Sequence, residues 1–100
     1  MLNFLKNVFS NKSVGIEEAL LNGAIILDVR TPKEFDGGHI QGSKNISLHE
    51  LKSKIELIRK WKKPVITVCL SGSRSRIAQS ILSSAGIEAY NGGSWMRFNK

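Results

Sequence analysis

The sequence has a single cysteine, Cys69, among its 100 residues. One cysteine cannot form an internal disulfide, so nothing indicates an oxidising compartment, and we expect a cytoplasmic protein. The two histidines, His39 and His49, show no metal-ligand spacing with this cysteine, and we predict neither a metal site nor a cofactor. The apolar segment at residues 1–9 is too broken for a signal peptide and too short to span a bilayer. We therefore expect one globular domain whose core is held together by hydrophobic packing, without a disulfide or a metal ion.

Acidic residues are scarce in the second half of the chain. No Asp or Glu lies between Leu57 and Ile87, and the formal net charge of the whole chain is +7. The basic residues of this stretch are Arg59, Lys60, Lys62, Lys63, Arg74 and Arg76. A positive field around the turn would attract anionic substrates. For Lys60, Lys62 and Lys63, however, a solvent-exposed helix end and general solubility explain the charge better. We find no basic groove with interleaved aromatic residues and no nucleic-acid-binding motif, so we predict no nucleic-acid partner.

The most informative stretch runs from residue 64 to residue 84. Residues 64–68 are apolar and mostly β-branched, which predicts a buried strand. Further on, apolar residues recur at helical spacing and predict a helix with one buried face. They are Ile77, Ala78, Ile81, Leu82 and Ala85. A six-residue turn, Cys69 to Arg74, joins the two elements. The cysteine is therefore expected at the carboxyl end of a strand and the start of a helix, where open α/β sheets bind ligands.

The composition of this turn suits an anion. Backbone N–H groups at a helix start lack internal partners, and the helix dipole adds positive potential there. Arg74 adds a full charge, and Gly72 lets the backbone fold without a Cβ clash. In such a place the pKa of the Cys69 thiol should fall from about 8.5 to roughly 3.5–7.5. The alternative is a small apolar cysteine that ends a buried strand, but core packing does not require Ser-Gly-Ser-Arg after it.

The remaining segments alternate between helix and strand signals. Predicted helices cover residues 13–23, 31–35 and 47–60, predicted strands cover residues 24–29, 44–46 and 87–90, and residues 91–95 are predicted as a turn. Thr31 and Ser47 are predicted helix caps, the second in a capping box with Glu50. Asp28 is either a buried hydrogen-bonded anchor, which we favour, or a catalytic acid. The alternation predicts an α/β fold with a mostly parallel sheet covered on both faces.

Four stretches resemble, in order, the signature segments of single-domain rhodaneses, a family of sulfurtransferases. They are Asp28–Phe35 (DVRTPKEF), Gly38–Ile46 (GHIQGSKNI), Cys69–Ser75 (CLSGSRS) and Gly92–Trp95 (GGSW). Any one of them is weak support, but four in the family's order are highly specific. We divide the chain into an N-terminal helix or tail at residues 1–12 and a rhodanese-like domain at residues 13–100. Membrane contact through residues 1–9 is the less favoured role of the first segment.

The resemblance implies a three-layer α/β/α fold with a central, mostly parallel five-stranded sheet. It implies that Cys69 takes a sulfane sulfur from a small anionic donor, thiosulfate or a persulfide, and passes it from a cysteine persulfide to cyanide or a thiol. A persulfide-carrying protein is a further partner of the same kind. The loop that binds the sulfur comprises Leu70, Ser71, Gly72, Ser73 and Arg74. Four further residues match mostly structural positions of the family: Asp28, Arg30, Glu34 and His39. We expect Arg30 and Glu34 to pair across the first helical turn.

One departure from the family pattern concerns the donor. Leu70 follows the cysteine where many active members have a basic residue, which makes thiosulfate a poorer donor and favours a persulfide. Two other function classes stay open: a rhodanese-like binding or regulatory module without turnover, and a cysteine-dependent phosphatase. The phosphatase needs a seven-residue loop around its phosphate, whereas arginine is sixth here and Ser75 seventh. Retention of Cys69 argues against the binding module.

Overall fold

The computed structural model describes residues 12–98. Its helices are α1 (Lys12–Leu21), α2 (Pro32–Asp36), α3 (Ile55–Arg59) and α4 (Ser73–Ser84), with 3-10 helices at Leu48–Lys54 and Trp95–Arg97. Its strands are β1 (Ile25–Asp28), β2 (Lys44–Asn45), β3 (Val65–Cys69) and β4 (Ala89–Ser94). The segment at residues 1–9 lies outside the described residues. Within them, no helix has both the length and the apolar character needed to cross a membrane.

The strands form one parallel sheet in the order β2-β1-β3-β4. The parallel α/β fold is thereby confirmed, but the expected five strands are wrong for residues 12–98, which contain four. Every residue of β3 is buried. Asp28, the last residue of β1, pairs with Val68, and Cys69 pairs with Ser94, the last residue of β4. The strand ends thus bring Asp28, Cys69 and Ser94 to one edge of the sheet.

Two hydrophobic clusters hold the layers together. The first packs the sheet against α3 and α4 through residues such as Leu27, Leu51, Ile58, Ala78 and Leu82. The second packs the sheet against α1 through Ile16, Ala19, Ile40, Ile66 and Val68. Neighbouring apolar residues of β3 belong to different clusters, as the two-residue period of a strand requires, and Ile66 and Val68 belong to the second. Val65 and Cys69 belong to the first cluster, so the cysteine side chain lies on the same face of the sheet as α4.

Thr31 caps α2 as the sequence predicts. Its hydroxyl accepts a hydrogen bond from the Glu34 N–H at 3.2 Å, and the Glu34 carboxylate accepts one from the Thr31 N–H at 3.0 Å. The two bonds form a capping box, with Pro32 at the first helical position, where its missing N–H costs nothing. This rigid helix start fixes the carboxylate of Glu34.

Two helix predictions are wrong in detail. Ser47 makes no side-chain cap, because the chain enters a 3-10 helix whose first bond joins the Glu50 N–H to the Ser47 carbonyl at 2.9 Å. Ile77, predicted on the buried face of α4, is 52% exposed. The buried stripe of α4 is centred on Ala78 and Leu82, and Ile77 lies outside it.

The predicted turn at residues 91–95 is also wrong, because residues 91–94 continue β4. Two successive glycines usually indicate a turn, but here Gly92 has a packing role. A Cβ at Gly92 would lie 2.8 Å from Ile66 Cγ2 and 2.9 Å from the Thr67 carbonyl oxygen. Only glycine lets β4 approach β3 this closely. The 3-10 helix at Trp95–Arg97 follows β4 directly, and the Ser94 side chain caps it by accepting from the Met96 N–H.

Candidate active site

The Cys69 side chain lies at the base of the loop between β3 and α4. Gly72 has a φ of +106°, a conformation that residues with a Cβ rarely adopt, and it turns the chain back over the sulfur. The Gly72 N–H donates to Cys69 Sγ at 3.0 Å, and the Ser75 N–H donates to it at 3.3 Å. Cys69 has no exposed surface. One backbone amide of the loop and one of the first turn of α4 therefore contact a buried sulfur.

Opposing effects act on the Cys69 thiol. Burial raises its pKa, whereas hydrogen bonds from the Ser75 side chain and from the amides of Ser75, Gly72 and Ser71 lower it. The hydrogen bonds prevail, so the pKa of Cys69 lies below that of an ordinary thiol. The direction agrees with the expectation for a cysteine at a helix start. The sulfur is therefore disposed to act as a nucleophile, since the thiolate is the reactive form.

The other residues of the predicted binding loop differ in how far they are exposed to solvent. Leu70 is 53% exposed, and Ser71 and Ser73 are exposed as well, whereas Gly72 is partly buried. The backbone of the loop thus contacts the sulfur, while three of its side chains form an outer rim. At this rim Leu70 presents an apolar surface where a basic side chain would present a charge.

Arg74 pairs with Glu34, which is 40 residues away in the sequence. Its Nη1 donates to Oε1 at 2.8 Å and its Nη2 donates to Oε2 at 3.0 Å, a bidentate geometry. Chiefly because of this pairing, the pKa of Glu34 falls from 4.5 to about 2, and the pKa of Arg74 is raised. The predicted pair between Arg30 and Glu34 is therefore wrong, and Arg74 ties α2 to the cysteine loop instead.

Arg30 forms a buried pair with Asp28. Its Nε donates to Oδ1 at 2.9 Å and its Nη2 donates to Oδ2 at 2.8 Å. Nη2 also donates to the Gly38 carbonyl at 2.7 Å, and the guanidinium lies 4.6 Å from the centroid of the Trp95 ring. The Asn45 side chain donates to the carbonyls of Asp28 and Arg30 at 2.9 Å each. These contacts support the anchor interpretation of Asp28 over the catalytic acid.

His39 packs at the end of α2. Its Nδ1 lies 2.8 Å from the Phe35 carbonyl oxygen, and its ring stacks on Phe35 with the centroids 3.7 Å apart. These contacts support a structural role for His39. Between residues 12 and 98, no group of three or more His, Cys, Asp and Glu side chains is placed to hold a metal ion.

Two residues of the site, Ser75 and Asn91, are missing from the predicted site residues, although Ser75 ends the third signature segment. Ser75 Oγ lies 3.5 Å from Cys69 Sγ and donates to Asn91 Oδ1 at 2.6 Å. The position of Ser75 in the first turn of α4 is a signal that its hydroxyl can turn toward the preceding loop. For Asn91 the sequence has no such signal, because its link to the loop depends on the pairing of β4 with β3.

Comparisons relate these features to known proteins. The sequence model of the Rhodanese-like domain family matches residues 15–98. The chain is 45% identical over 69 residues to the uncharacterized protein YqhL of Bacillus subtilis, a match that covers 68% of this chain and 54% of that protein. It is 34% identical over 79 residues to the thiosulfate sulfurtransferase GlpE of Ectopseudomonas mendocina, covering 75% of this chain and 69% of GlpE. The solved structure described as a rhodanese with anions from E. coli is 33% identical, with a TM-score of 0.67 and coverage of 73% of this chain and 88% of that one.

The family match includes all four signature segments and every described element, except for the first three residues of α1. The chain spans only about half the length of YqhL, so the similarity establishes the domain and leaves the activity of the whole protein to be proposed. The parallel sheet and the loop around a buried cysteine agree with this family match, which covers most of the sequence. The chain belongs to the family of rhodanese-like domains.

Proposed function

We propose that this protein is a sulfurtransferase that carries sulfane sulfur as a persulfide on Cys69. The observation that carries the proposal is the contact of the Gly72 and Ser75 amides with the cysteine sulfur at the end of β3. Backbone N–H groups gathered in a loop stabilise an anionic sulfur in a preorganised way. Membership of the family supports the same chemistry, because relatives of the chain include the thiosulfate sulfurtransferases GlpE and PspE.

Sulfur uptake is a displacement at the outer sulfur of the donor. With thiosulfate, the Cys69 thiolate forms a new S–S bond, the S–S bond of thiosulfate breaks, and its electron pair leaves with sulfite. The negative charge then lies on the outer sulfur of the persulfide, next to the loop amides. In the second step cyanide or a thiolate attacks that sulfur, forming thiocyanate or a new persulfide and restoring the Cys69 thiolate. Atoms and electrons balance without a further reactant.

The donor reaches Cys69 only after a local movement of the loop. Cys69 has no exposed surface, and the Gly72 N–H donates a hydrogen bond to its sulfur at 3.0 Å. Displacing one such hydrogen bond costs about 0.5–1.5 kcal/mol, which is small compared with a reaction barrier. The displaced amide is then free to donate to the incoming sulfur.

The charge around the loop favours one class of donor. Leu70 places no charge at the exposed rim, and Arg74 is already bound to Glu34. A dianion such as thiosulfate therefore gains the charge of Arg74 only by displacing Glu34 from it, and we expect a small persulfide or a persulfide-carrying protein to be the better donor. A thiol acceptor and a cytoplasmic location are parts of the same proposal, because thiols stay reduced in that compartment.

The proposal is tested by the mass of the intact protein after incubation with thiosulfate or with glutathione persulfide. We expect the wild type to gain the mass of one sulfur atom, to a greater extent with the persulfide. Cyanide or a thiol should remove that mass and yield thiocyanate or a new persulfide. Cys69→Ser should gain nothing, because a hydroxyl does not form the persulfide.

Two further outcomes distinguish the other function classes. Release of phosphate from an aryl phosphate by the wild type and not by Cys69→Ser, without any gain of sulfur, would support the phosphatase. If the protein neither gains sulfur from any donor nor releases phosphate, the result would support a binding module. Ser83→Ala, which changes an exposed serine at the far end of α4, is the matched control and should behave like the wild type.

A further inference from the structure

The Ser75 hydroxyl has one proton and three acceptors within reach. Its oxygen lies 2.6 Å from Asn91 Oδ1, 3.0 Å from the Gly72 carbonyl oxygen and 3.5 Å from Cys69 Sγ. A single O–H can point at only one of them. The contact with Asn91 is the shortest, so the proton points to the amide oxygen and leaves the hydroxyl lone pairs to accept from the neutral Cys69 thiol.

The surroundings of Asn91 determine which end of its amide faces Ser75. The Gly93 N–H donates to Oδ1 at 3.0 Å, and Nδ2 lies 3.5 Å from the Gly72 carbonyl oxygen. A reversed amide would place Nδ2 against the Gly93 N–H, with two donors facing each other. Oδ1 is therefore the atom beside Ser75, and it can only accept.

The pairing of β4 with β3 places Asn91 on the face of the sheet that carries Cys69. Asn91 lies opposite Thr67, which is two residues before the cysteine and therefore on the same face. The register shifts by one residue after this pair, which leaves Gly92 as the extra residue of a β-bulge. Thr67 Oγ1 also donates to the Ser75 carbonyl oxygen at 2.7 Å. β3 thus holds Asn91 and Ser75, which belong to different elements, in a fixed relation.

We propose that Asn91 is a positioning residue that controls the Ser75 hydroxyl and, through it, the protonation of Cys69. While Sγ is protonated or bonded to an outer sulfur, Asn91 holds the hydroxyl proton. When Sγ is a thiolate, rotation about the Cβ–Oγ bond turns that proton to the sulfur, and Asn91 loses its partner. Asn91 and the thiolate therefore compete for the proton of the Ser75 hydroxyl. Because of this competition, the thiolate is less stable than it would be in a protein that has Ser75 but lacks the Asn91 amide.

This inference rests on the proposed function for its place in the cycle, where Sγ alternates between thiolate and persulfide. The titration of the thiol needs no sulfur donor, so a failure of this inference and a failure of sulfur transfer are separate results. Among the described residues, the charged groups around the loop are the pair of Arg74 with Glu34, the pair of Arg30 with Asp28, and Arg97, whose Nη1 donates to the Gly92 carbonyl at 2.9 Å. None of these five residues is changed in the test.

The test follows the ultraviolet absorbance of the Cys69 thiolate against pH. Cys69 is the only cysteine of the sequence. A hydrogen bond to Glu88 raises the pKa of the only tyrosine, Tyr90, to about 12, so its phenolate does not interfere near neutral pH. Asn91→Ala should lower the midpoint by about half to one pH unit, the effect of one hydroxyl hydrogen bond. Ser75→Ala should raise it by a similar amount.

A double variant decides whether Asn91 acts through Ser75. In the Ser75→Ala background, Asn91→Ala should leave the midpoint where it is, because the hydroxyl is gone. Asn45→Ala is the matched control, because Asn45 is also a partly buried asparagine that binds two groups, the carbonyls of Asp28 and Arg30. It should not move the midpoint. An unchanged or raised midpoint in Asn91→Ala, or an equal shift with and without the hydroxyl, overturns the proposal.

Asn91→Asp keeps the proposal testable if Asn91→Ala does not fold. A carboxylate of nearly the same shape still accepts from the Gly93 N–H and holds the Ser75 hydroxyl more firmly. The midpoint should therefore rise, and the rise should be larger with Ser75 present than in Ser75→Ala. Equal rises in the two backgrounds would mean that only the added charge acts, and the proposal would be wrong.

Discussion

The two arginine–carboxylate pairs at this edge of the sheet use the same chemical groups in opposite settings. Arg30 and Asp28 are two residues apart, and their side chains are 5% and 0% exposed. Arg74 and Glu34 are 40 residues apart, and their side chains are 34% and 32% exposed. One pair lies in the protein interior, whereas water can solvate either partner of the other.

This difference in exposure distinguishes a pair that supports the structure from a pair whose arginine can bind a donor. Neither charge of the buried pair can be released without leaving the other uncompensated in a medium of low dielectric constant. Arg74 can exchange the Glu34 carboxylate for another anion at low cost, because exposed pairs contribute little net stability. We therefore expect Arg30 to matter for folding and Arg74 to matter for the capture of an anionic donor.

The largest effect is expected from Arg30→Ala. Removal of the guanidinium leaves the Asp28 carboxylate buried without its main partner, which should lower the free energy of unfolding by roughly 3–5 kcal/mol. Urea unfolding monitored by circular dichroism measures the change. The matched control is Arg59→Ala, which removes an ion pair with Glu56, 77% exposed, and a hydrogen bond to the Ala85 carbonyl at 2.7 Å, and it should cost only about 1–2 kcal/mol. Equal losses in the two variants would contradict the distinction between buried and exposed pairs.

An intermediate effect is expected from Arg74→Ala. The variant should fold with nearly the stability of the wild type, yet take up sulfur from thiosulfate more slowly. Loss of a charge-assisted contact corresponds to about 1–3 kcal/mol, or roughly fivefold to a hundredfold in rate. The measurement is the rate of sulfur gain by mass spectrometry, with Arg76→Ala, an exposed neighbour in α4, as control. An unchanged rate with thiosulfate would show that Arg74 serves the structure and not the donor.

The sequence predicts the local parts of this site and misses the long-range ones. The strand before Cys69 follows from a β-branched run, and the Thr31 cap follows from its position directly before Pro32 at the start of a helix. The Arg74–Glu34 pair joins residues 40 apart, and local rules favoured Arg30 as the partner because it is four residues from Glu34. The role of Asn91 depends on the pairing of β4 with β3, and the Gly92-Gly93 sequence makes this part of β4 look like a turn. Local sequence patterns do not indicate contacts that form only when the strands assemble into a sheet.

The smallest effect is expected from Glu34→Gln, and it should depend on pH. The pKa of Glu34 falls from 4.5 to about 2 in the fold, so folding favours its carboxylate. The stability that this carboxylate contributes is therefore complete above about pH 4.5, declines as the pH falls, and is lost below about pH 2. Because the pair is partly exposed, the difference between wild type and Glu34→Gln should stay below about 1 kcal/mol. Urea unfolding of both proteins from pH 7 down to acid measures it, and the comparison cancels the titration of the other carboxylates. A difference that persists undiminished at the lowest pH would mean that the shape of the side chain, and not its charge, joins α2 to the cysteine loop.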